Sequence, residues 1–297
     1  MKKLLIVVGA TGSNKSNLSK KLAKHFNTEI FVADAFQVYK EISAGINKPS
    51  EIELKEIKHY FVNHISIYDE WNVKRFQAEF KNITLNSNKD IFVVEGGSNL
   101  YIDSIIKNYN FKPLVDLSYD WEQQSNNDLW NELNKIDENE AKKIPKENRR
   151  RLLQAIKIIY SNNEKKSILD TKNNPALFDI FMIWKKIPRD NLYKILDDRT
   201  QKMYQEIGWL KEVENLINQD KNVINLNSFK AIGYPEMSQA IIDKNEPDLN
   251  LIKRKVRNYA KRQETWIRNK FKIDFIYKND DDDWNNLVAQ CKKFINK

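Results

Sequence analysis

Residues 4–16 read LLIVVGATGSNKS, and this stretch decides the fold. The five consecutive apolar residues 4–8 predict a strand that is buried on both faces, as strands of parallel sheets are. A loop with two glycines follows at 9–16, and residues 17–26 then carry apolar side chains at helical spacing. A strand, a glycine loop and a helix in this order are typical of proteins that bind a phosphate group.

The loop matches the phosphate-binding pattern GxxxxGK[ST] at Gly9, Lys15 and Ser16, with Asn14 in place of the second glycine. Asparagine adopts left-handed backbone more easily than most residues, so it can replace glycine where that conformation is needed. We predict a diphosphate or triphosphate site here, with Mg²⁺ as the cofactor and Ser16 as its ligand. The alternative is a strand–helix turn without a ligand. The predicted phosphate-binding residues are Gly9, Ala10, Thr11, Gly12, Ser13, Asn14, Lys15 and Ser16.

Further apolar runs at 28–33, 90–95 and 178–187 predict additional strands, and helical patterns alternate with them. This alternation favours an α/β fold with a P-loop-type parallel sheet flanked by helices. In such sheets, functional groups gather where strands end, and Asp34 and Gly96 follow strand ends. Asp34 fits the role of a general base or a neighbour of Mg²⁺, and the alternative is a turn cap or a partner of Lys15.

The stretch 111–177 differs from the rest because it is polar, rich in Asn, Lys and Glu, and helical in period. We predict that it forms an inserted helical subdomain, and that residues 1–110 and 178–297 form the core domain. Towards the C-terminus the pattern predicts helices over 189–218, within 229–242 and over 249–271, and a solvated turn at the acidic run 280–283.

Composition excludes several classes of protein. Hydrophobic residues make up 41% of the 297 residues, which is enough for a packed core. No apolar run reaches the ~20 residues that a membrane span needs, and one cysteine cannot form an internal disulfide. We therefore expect a cytoplasmic protein without structural metal. The net charge is +9, and residues 253–272 contain nine Lys or Arg and one acid, which predicts a surface for a polyanion.

Motifs along nearly the whole chain resemble those of the tRNA dimethylallyltransferases. The loop 9–16 is similar to that family's GPTASGKT. The other matching segments are DAFQVY at 34–39, GINKP at 45–49, GGSNLY at 96–101, NRRR at 148–151, AIGYPE at 231–236 and KRQETWIR at 261–268. The departures from the family pattern include Asn14, Ala35 and the pair Ser98-Asn99.

The resemblance implies transfer of a dimethylallyl group from its diphosphate to N6 of the adenosine beside the tRNA anticodon. Asp34, Lys15 and Ser98 are then the catalytic residues, with Asp34 taking a proton from the amine and Lys15 neutralising the leaving diphosphate. Gln37 suits an adenine edge because its amide offers a donor and an acceptor. The resemblance further implies that the anticodon stem-loop of tRNA and dimethylallyl diphosphate are the partners of a monomeric protein that does not bind membranes.

The basic segment fits this RNA substrate. Arg257, Lys261 and Arg268 share one helical face, and a second basic cluster lies in the predicted insertion. The predicted tRNA-binding residues are Asp34, Ala35, Phe36, Gln37, Ser98, Arg149, Arg150, Arg151, Arg257, Lys261, Arg262, Gln263, Trp266 and Arg268.

Two alternatives stay open at this point. A small-molecule or nucleoside kinase would use Lys15, Ser16 and Mg²⁺ on ATP, with 149–151 as a lid, but it leaves the basic segment 261–268 unexplained. A non-catalytic RNA-binding relative would explain Asn14 and the altered glycine turn. The presence of Lys15, Ser16 and Asp34 together favours an enzyme.

Overall fold

The computed structural model describes residues 1–111, 121–169, 174–278 and 281–297, and for 281 and 282 it describes the backbone. The chain forms two compact units. The first combines Met1–Ile106 with Leu177–Lys297, and the second is Lys107–Ala176. The second unit is close to the predicted insertion 111–177. It begins four residues earlier, at Lys107, and ends one residue earlier, at Ala176.

The described part of the first unit contains a six-stranded parallel sheet with the spatial order β3-β2-β4-β1-β5-β6. Its strands are β1 (Lys2–Val8), β2 (Ile30–Val32), β3 (His59–Tyr60), β4 (Ile91–Gly96), β5 (Phe178–Lys185) and β6 (Phe275–Tyr277). The predicted parallel sheet is thus confirmed. The short strands β3 and β6 at its edges have no counterpart in the sequence prediction, because two or three residues carry too little pattern.

Helices cover the sheet and build the second unit. In chain order they are α1 (Lys15–His25), α2 (Glu51–Glu56), α3 (Val73–Leu85), α4 (Asn99–Ile106), α5 (Asn126–Ile136), α6 (Glu138–Ala141), α7 (Arg149–Asn162), α8 (Lys166–Leu169), α9 (Arg189–Gln205), α10 (Trp209–Gln219), α11 (Tyr234–Asp243), α12 (Leu249–Lys270) and α13 (Asp281–Ile295). Among the described residues, no helix is both long and apolar enough to cross a membrane.

Strand β1 lies at the centre of the sheet. Its residues Leu4–Val8 are fully buried, and Leu5 pairs with Val93 of β4 on one side and Phe181 of β5 on the other. Alternate side chains of β1 join two separate cores, one on each face of the sheet. The continuous apolar run is therefore the signature of a strand covered by helices on both faces.

Two predictions about helices need correction. The helix predicted over 189–218 is interrupted, because α9 ends at Gln205 and Gly208 has a φ of 82°, a left-handed conformation that stops one helix before α10 begins. The solvated turn predicted at 280–283 is wrong in its described part, since the backbone is helical from Asp281 onwards. Acidic residues are favourable in the first turn of a helix, where they complement its dipole. Residue 280 lies outside the described residues.

The second unit has a small core of its own. Leu129 and Leu133 of α5 pack with Leu152, Ala155 and Ile156 of α7, all of them buried. The helical spacing predicted for this polar stretch therefore corresponds to the inward faces of α5 and α7.

Candidate active site

The loop between β1 and α1 has the conformation of a phosphate-binding nest. Gly12 has a φ of 81° and Asn14 a φ of 62°, and left-handed residues in a loop of this kind are typical of the backbone nests that bind anions. A Cβ at Gly9 would lie 2.6 Å from Ser13 Oγ and 2.7 Å from the Lys185 carbonyl, which explains the first glycine of the pattern. The left-handed backbone expected at Asn14 is observed, and its side chain is exposed.

Lys15 begins α1 and points its ammonium group into a charged environment. Burial lowers the pKa of Lys15, while the carboxylates of Glu95 and Asp34 raise it and the Arg199 guanidinium lowers it further. The structure records no hydrogen bond from this ammonium to the described residues. A desolvated cation with unused donors is suited to an anionic ligand.

Glu95 is a site residue that the sequence reasoning missed. It stands at the carboxyl end of β4, is 2% exposed, and burial raises its pKa, whereas Lys15 and a hydrogen bond from the Ser16 hydroxyl lower it. Its Oε2 atom is buried without a hydrogen-bond partner. The available signal was an acid at the end of an otherwise apolar strand, beside the expected phosphate site.

Arg199 of α9 is a second missed residue. It donates a hydrogen bond from Nη2 to Thr11 Oγ1 at 2.8 Å, and burial lowers its pKa. Its Nε is buried without a partner. Together with Lys15 it gives the loop two cationic side chains. No local motif around Arg199 predicts its role at the loop, because the contact joins residues that are 188 positions apart.

Asp34 follows β2 and lies near the same loop. Its Oδ1 accepts hydrogen bonds from the backbone N–H groups of Phe36 at 2.9 Å and Gln37 at 3.2 Å. One carboxylate oxygen of Asp34 therefore caps the turn, which is one of the alternative roles considered from the sequence. The other oxygen, Oδ2, accepts no recorded hydrogen bond from the described residues. The half-buried carboxylate therefore keeps one oxygen available while its orientation is fixed by the other.

Ser98 connects the turn after β4 to the turn after β2. Its N–H donates to the Ala33 carbonyl at 3.1 Å, and its Oγ accepts from the Ala35 N–H at 3.0 Å. A Cβ at Gly96 would overlap the Ala33 carbonyl, so only glycine lets the two turns approach this closely. Ser98 thus holds the residue that follows Asp34.

The segment after Asp34 contains one unsatisfied polar group. Gln37 Oε1 is buried without a hydrogen-bond partner. Ala35 and Phe36 are half-buried against the main core, whereas Tyr39 is 2% exposed and belongs to that core. Tyr39 is therefore a core residue, whereas Gln37 has an acceptor left over for a ligand.

The following segment, Ser43–Gly45, is held by α10 and α11. Glu212 accepts hydrogen bonds from the Ser43 and Ala44 N–H groups, at 2.8 and 2.9 Å, and from the Tyr234 hydroxyl at 2.7 Å. The indole of Trp209 lies against both Gly45 and Gly233, and a Cβ at either glycine would overlap it. These contacts join the segments 45–49 and 231–236, both of which carry motifs of the family resemblance.

Helix α12 presents the predicted basic surface. Lys261, Arg262 and Arg268 are exposed, and none has an ion pair recorded with the described residues. A groove of about 570 Å³ lies along the surface of this helix, and α12 supplies all of its lining residues. The lining residues are Asn258, Lys261, Arg262, Thr265, Trp266, Asn269 and Lys270.

Two predicted RNA contacts on this helix have internal partners instead of open surface. Arg257 donates to both carboxylate oxygens of Asp197 at 2.6 Å. Gln263 is 3% exposed, and its amide bonds to the backbone of Thr11 and Gly97. The spacing correctly placed Arg257 on the face of Lys261, but it could not reveal a carboxylate on α9.

The arginines of the second unit also divide into two kinds. Arg149 donates to the backbone carbonyls of Glu122 and Gln124, the latter at 2.7 Å, and so joins the start of α7 to the segment before α5. Arg150 and Arg151 are exposed. Arg149 therefore has a structural partner, and its two neighbours form the open part of the predicted cluster.

Comparison with known proteins decides the family. The family model described as IPP transferase matches residues 37–270. The tRNA dimethylallyltransferase of Malacoplasma penetrans is 53% identical over 99% of this chain and 98% of its own length. That of Mycoplasmoides gallisepticum is 37% identical over 99% of this chain and 97% of its own length. The chain belongs to the IPP transferase family.

Solved structures agree with this membership. A tRNA isopentenylpyrophosphate transferase from Staphylococcus epidermidis is 28% identical, covers 99% of both chains and has a TM-score of 0.67. A eukaryotic dimethylallyltransferase acting on tRNA is 26% identical, with a TM-score of 0.80 over all of this chain and 80% of its own. The predicted resemblance and the P-loop-type fold are confirmed.

Proposed function

We propose that this IPP transferase moves a dimethylallyl group from dimethylallyl diphosphate to N6 of the adenosine next to the tRNA anticodon. The support comes from one juxtaposition. The cationic phosphate loop, with Lys15 and Arg199, lies close enough to Asp34 for that carboxylate to raise the pKa of Lys15. An anion site and a carboxylate with an available oxygen are what this transfer requires.

The loop side suits the diphosphate of the donor. Breaking the bond between the dimethylallyl carbon and its oxygen leaves negative charge on the diphosphate, which loop N–H groups, Lys15 and Arg199 would stabilise. The unused donors of Lys15 and the unpaired Nε of Arg199 fit this purpose.

The oxygen atoms beside the loop fit Mg²⁺, the cofactor expected from the sequence. No group of three or more His, Cys, Asp and Glu in the described part of the chain could hold a metal by itself. Ser16 Oγ would be the ligand, with the unpartnered Glu95 Oε2 close to it and diphosphate oxygens completing the site. Bound there, Mg²⁺ would neutralise charge on the leaving diphosphate.

The strand-end side suits the acceptor. The N6 amine of adenine is a weak nucleophile, because its lone pair is delocalised into the ring. As the new C–N bond forms, Asp34 Oδ2 would accept the proton from N6, an assistance typically worth ~10²–10⁴-fold in rate. The N–H groups that hold Oδ1 fix the direction of Oδ2.

The adenine must leave its stack to reach this carboxylate, which is cheaper for an unpaired loop base than for a paired one. Gln37, with its unsatisfied Oε1, would receive the adenine edge, and Phe36 would contact the ring. Ser98 would act beside them by holding the backbone after Asp34.

The RNA itself would lie along the exposed cations of α12, and Arg150 and Arg151 would contribute a second basic surface. The anticodon stem-loop is the RNA element we propose, since it presents an unpaired adenosine next to a duplex stem. A monomer in the cytoplasm, where tRNA is found, completes the proposal.

Prenyl transfer to an anticodon stem-loop tests the function. Purified protein is incubated with radiolabelled dimethylallyl diphosphate, Mg²⁺ and the RNA, and label on the RNA is the expected result. Turnover of ATP with no label on RNA would support the kinase alternative, and RNA binding with neither reaction would support the non-catalytic relative.

Asp34→Asn isolates the proposed base. An asparagine Oδ1 can still accept from the N–H groups of Phe36 and Gln37, so the local turn is retained while the basic oxygen is lost. We expect the transfer rate to fall by about 10²-fold or more in Asp34→Asn, and equally in Asp34→Ala. The affinity of both variants for RNA should be unchanged. A normal rate in both variants would exclude Asp34 as the base.

A further inference from the structure

The amide of Gln263 connects the two halves of the proposed site. Its Oε1 accepts a hydrogen bond from the Thr11 N–H of the phosphate loop at 2.8 Å. Its Nε2 donates to the Gly97 carbonyl, in the turn after β4, also at 2.8 Å. One side chain thus joins the loop that would hold the donor to the turn beside the acceptor base.

This side chain is enclosed, although it belongs to the basic helix. Gln263 is 3% exposed, whereas its neighbour Arg262 is exposed, because adjacent side chains of a helix point about 100° apart. Asn99 Nδ2 donates to the Gln263 carbonyl at 3.2 Å, and the Tyr259 hydroxyl donates to the Gly97 carbonyl at 3.2 Å. Both ends of the amide are occupied by the protein, so RNA is not needed to satisfy them.

The two hydrogen-bond partners of the amide, Thr11 and Gly97, are each connected to a group that would take part in the reaction. Thr11 also receives the hydrogen bond from Arg199, one of the two cations at the loop. Gly97 precedes Ser98, whose Oγ holds the residue after Asp34. A shift of the Gln263 amide would therefore change the separation between the phosphate loop and the carboxylate.

The fit around the amide is close. A Cβ at Gly97 would overlap Gln263 Nε2, although the backbone of Gly97 is not in a left-handed conformation. A side chain at 97 would therefore displace the amide of Gln263, although the backbone conformation of Gly97 itself would accept one.

We propose that Gln263 is a positioning residue that sets the distance between the diphosphate of the donor and the base that accepts the proton, and that it does not bind RNA. The proposal rests on the proposed transferase function. It predicts that Gln263 affects kcat and that the adjacent Arg262 affects the Kd for RNA, because Arg262 lines the groove on α12 whereas the Gln263 amide contacts the phosphate loop.

The first experiment compares Gln263→Met with Arg262→Gln in the full chain. Methionine keeps most of the volume and removes both hydrogen bonds. We expect Gln263→Met to lower kcat by about 10- to 100-fold, since small misplacements of reacting groups cost that much, and to leave the Kd for the anticodon stem-loop within about twofold. Arg262→Gln should raise that Kd, because it removes an exposed cation from the RNA surface. A raised RNA Kd with normal kcat in Gln263→Met would overturn the proposal.

A double-mutant cycle keeps the test valid if Gln263→Met is poorly folded. Gly97→Ala would displace the amide, and Gln263→Ala would make room for the new methyl group. We expect each single variant to lose kcat and the double variant to lose no more than the worse of the two, because both act through one contact. Losses that multiply would contradict the proposal. Wild-type protein that transfers no label would instead refute the proposed function.

Discussion

At the scale of single residues, the phosphate loop illustrates how a motif can lose a glycine and keep its conformation. Asn14 has the left-handed backbone that glycine would supply, and its side chain is directed to solvent. Asparagine is among the few residues for which this conformation has a low cost. The departure from the pattern therefore does not fill the space that the loop encloses.

Substitution at Asn14 tests this point. Asn14→Gly should leave the affinity for inorganic diphosphate nearly unchanged. Asn14→Val should lower the free energy of unfolding by about 1–2 kcal/mol, because a β-branched residue is strained in the left-handed region, and should weaken diphosphate binding. Urea unfolding and calorimetric titration measure the two effects. Equal behaviour of both variants would show that the backbone conformation is not what matters.

Arg199 gives a second prediction at this scale. Arg199→Met should reduce the affinity for inorganic diphosphate by about 10- to 100-fold, as expected for the loss of a charge-assisted hydrogen bond, with RNA affinity retained. Isothermal titration measures the former and filter binding the latter. Lys194→Met is the matched control, because Lys194 is exposed on the same helix and should leave both affinities as they are. A similar loss in both variants would indicate a general effect of charge.

At the scale of elements, site residues that follow a strand in the sequence could be predicted, whereas those that reach the site from a distant segment could not. Lys15, Ser16 and Asp34 could be recognised because each follows a clear apolar strand. Glu95 ends such a strand too, but its role depends on the buried partners Lys15 and Ser16. Arg199 could not be predicted, since it reaches Thr11 through helix packing that leaves no local pattern.

The loop at 45–49 provides a prediction about pH. Burial lowers the pKa of Lys48 to about 8, against the opposing effect of Glu212 and Glu41. In the unfolded chain this pKa is near ~10.4, so between these values the unfolded state binds more protons at this residue than the folded state. The contribution of Lys48 to the free energy of unfolding should therefore rise with pH in this window.

The measurement compares wild type with Lys48→Met by urea unfolding at about pH 7, 8, 9 and 10. The difference in unfolding free energy should move in favour of wild type above pH 8 and stay constant below it. Other lysines titrate equally in both proteins and cancel in the difference. A difference that moves towards the variant as the pH rises would contradict the assignment.

At the scale of the whole molecule, the positive charge is not uniformly available. Arg257 is paired with Asp197, Lys255 with Glu236, and Arg149 is bonded to backbone carbonyls. Counting basic residues from the sequence therefore located an exposed basic surface but overestimated the number of cations without an internal partner. Which residues are paired depends on α9, α11 and the second unit's own turns, and none of these contacts is encoded locally.

Salt dependence of RNA binding separates the two kinds of arginine. Arg262→Ala should weaken binding of the anticodon stem-loop and reduce the slope of log K against log salt by about 1, with diphosphate affinity retained. Arg257→Gln is the matched control, because its guanidinium is already neutralised by Asp197, and the slope should remain as in wild type. Fluorescence anisotropy from about 50 to about 300 mM salt gives both slopes. If Arg257→Gln flattens the slope as much as Arg262→Ala, the ion pair opens in the complex.

The indole of Trp209, enclosed by Gly45 and Gly233, has a consequence for how this chain can diverge. A methyl group at either glycine would collide with the ring, and a smaller residue at 209 would leave a void, so each single change is expected to destabilise this packing. Gly233 is restricted further by its φ of 100°, whereas Gly45 is restricted by the ring alone. Relatives that carry alanine at the position of Gly45 should therefore have a smaller residue at the position of Trp209, so that the two positions covary.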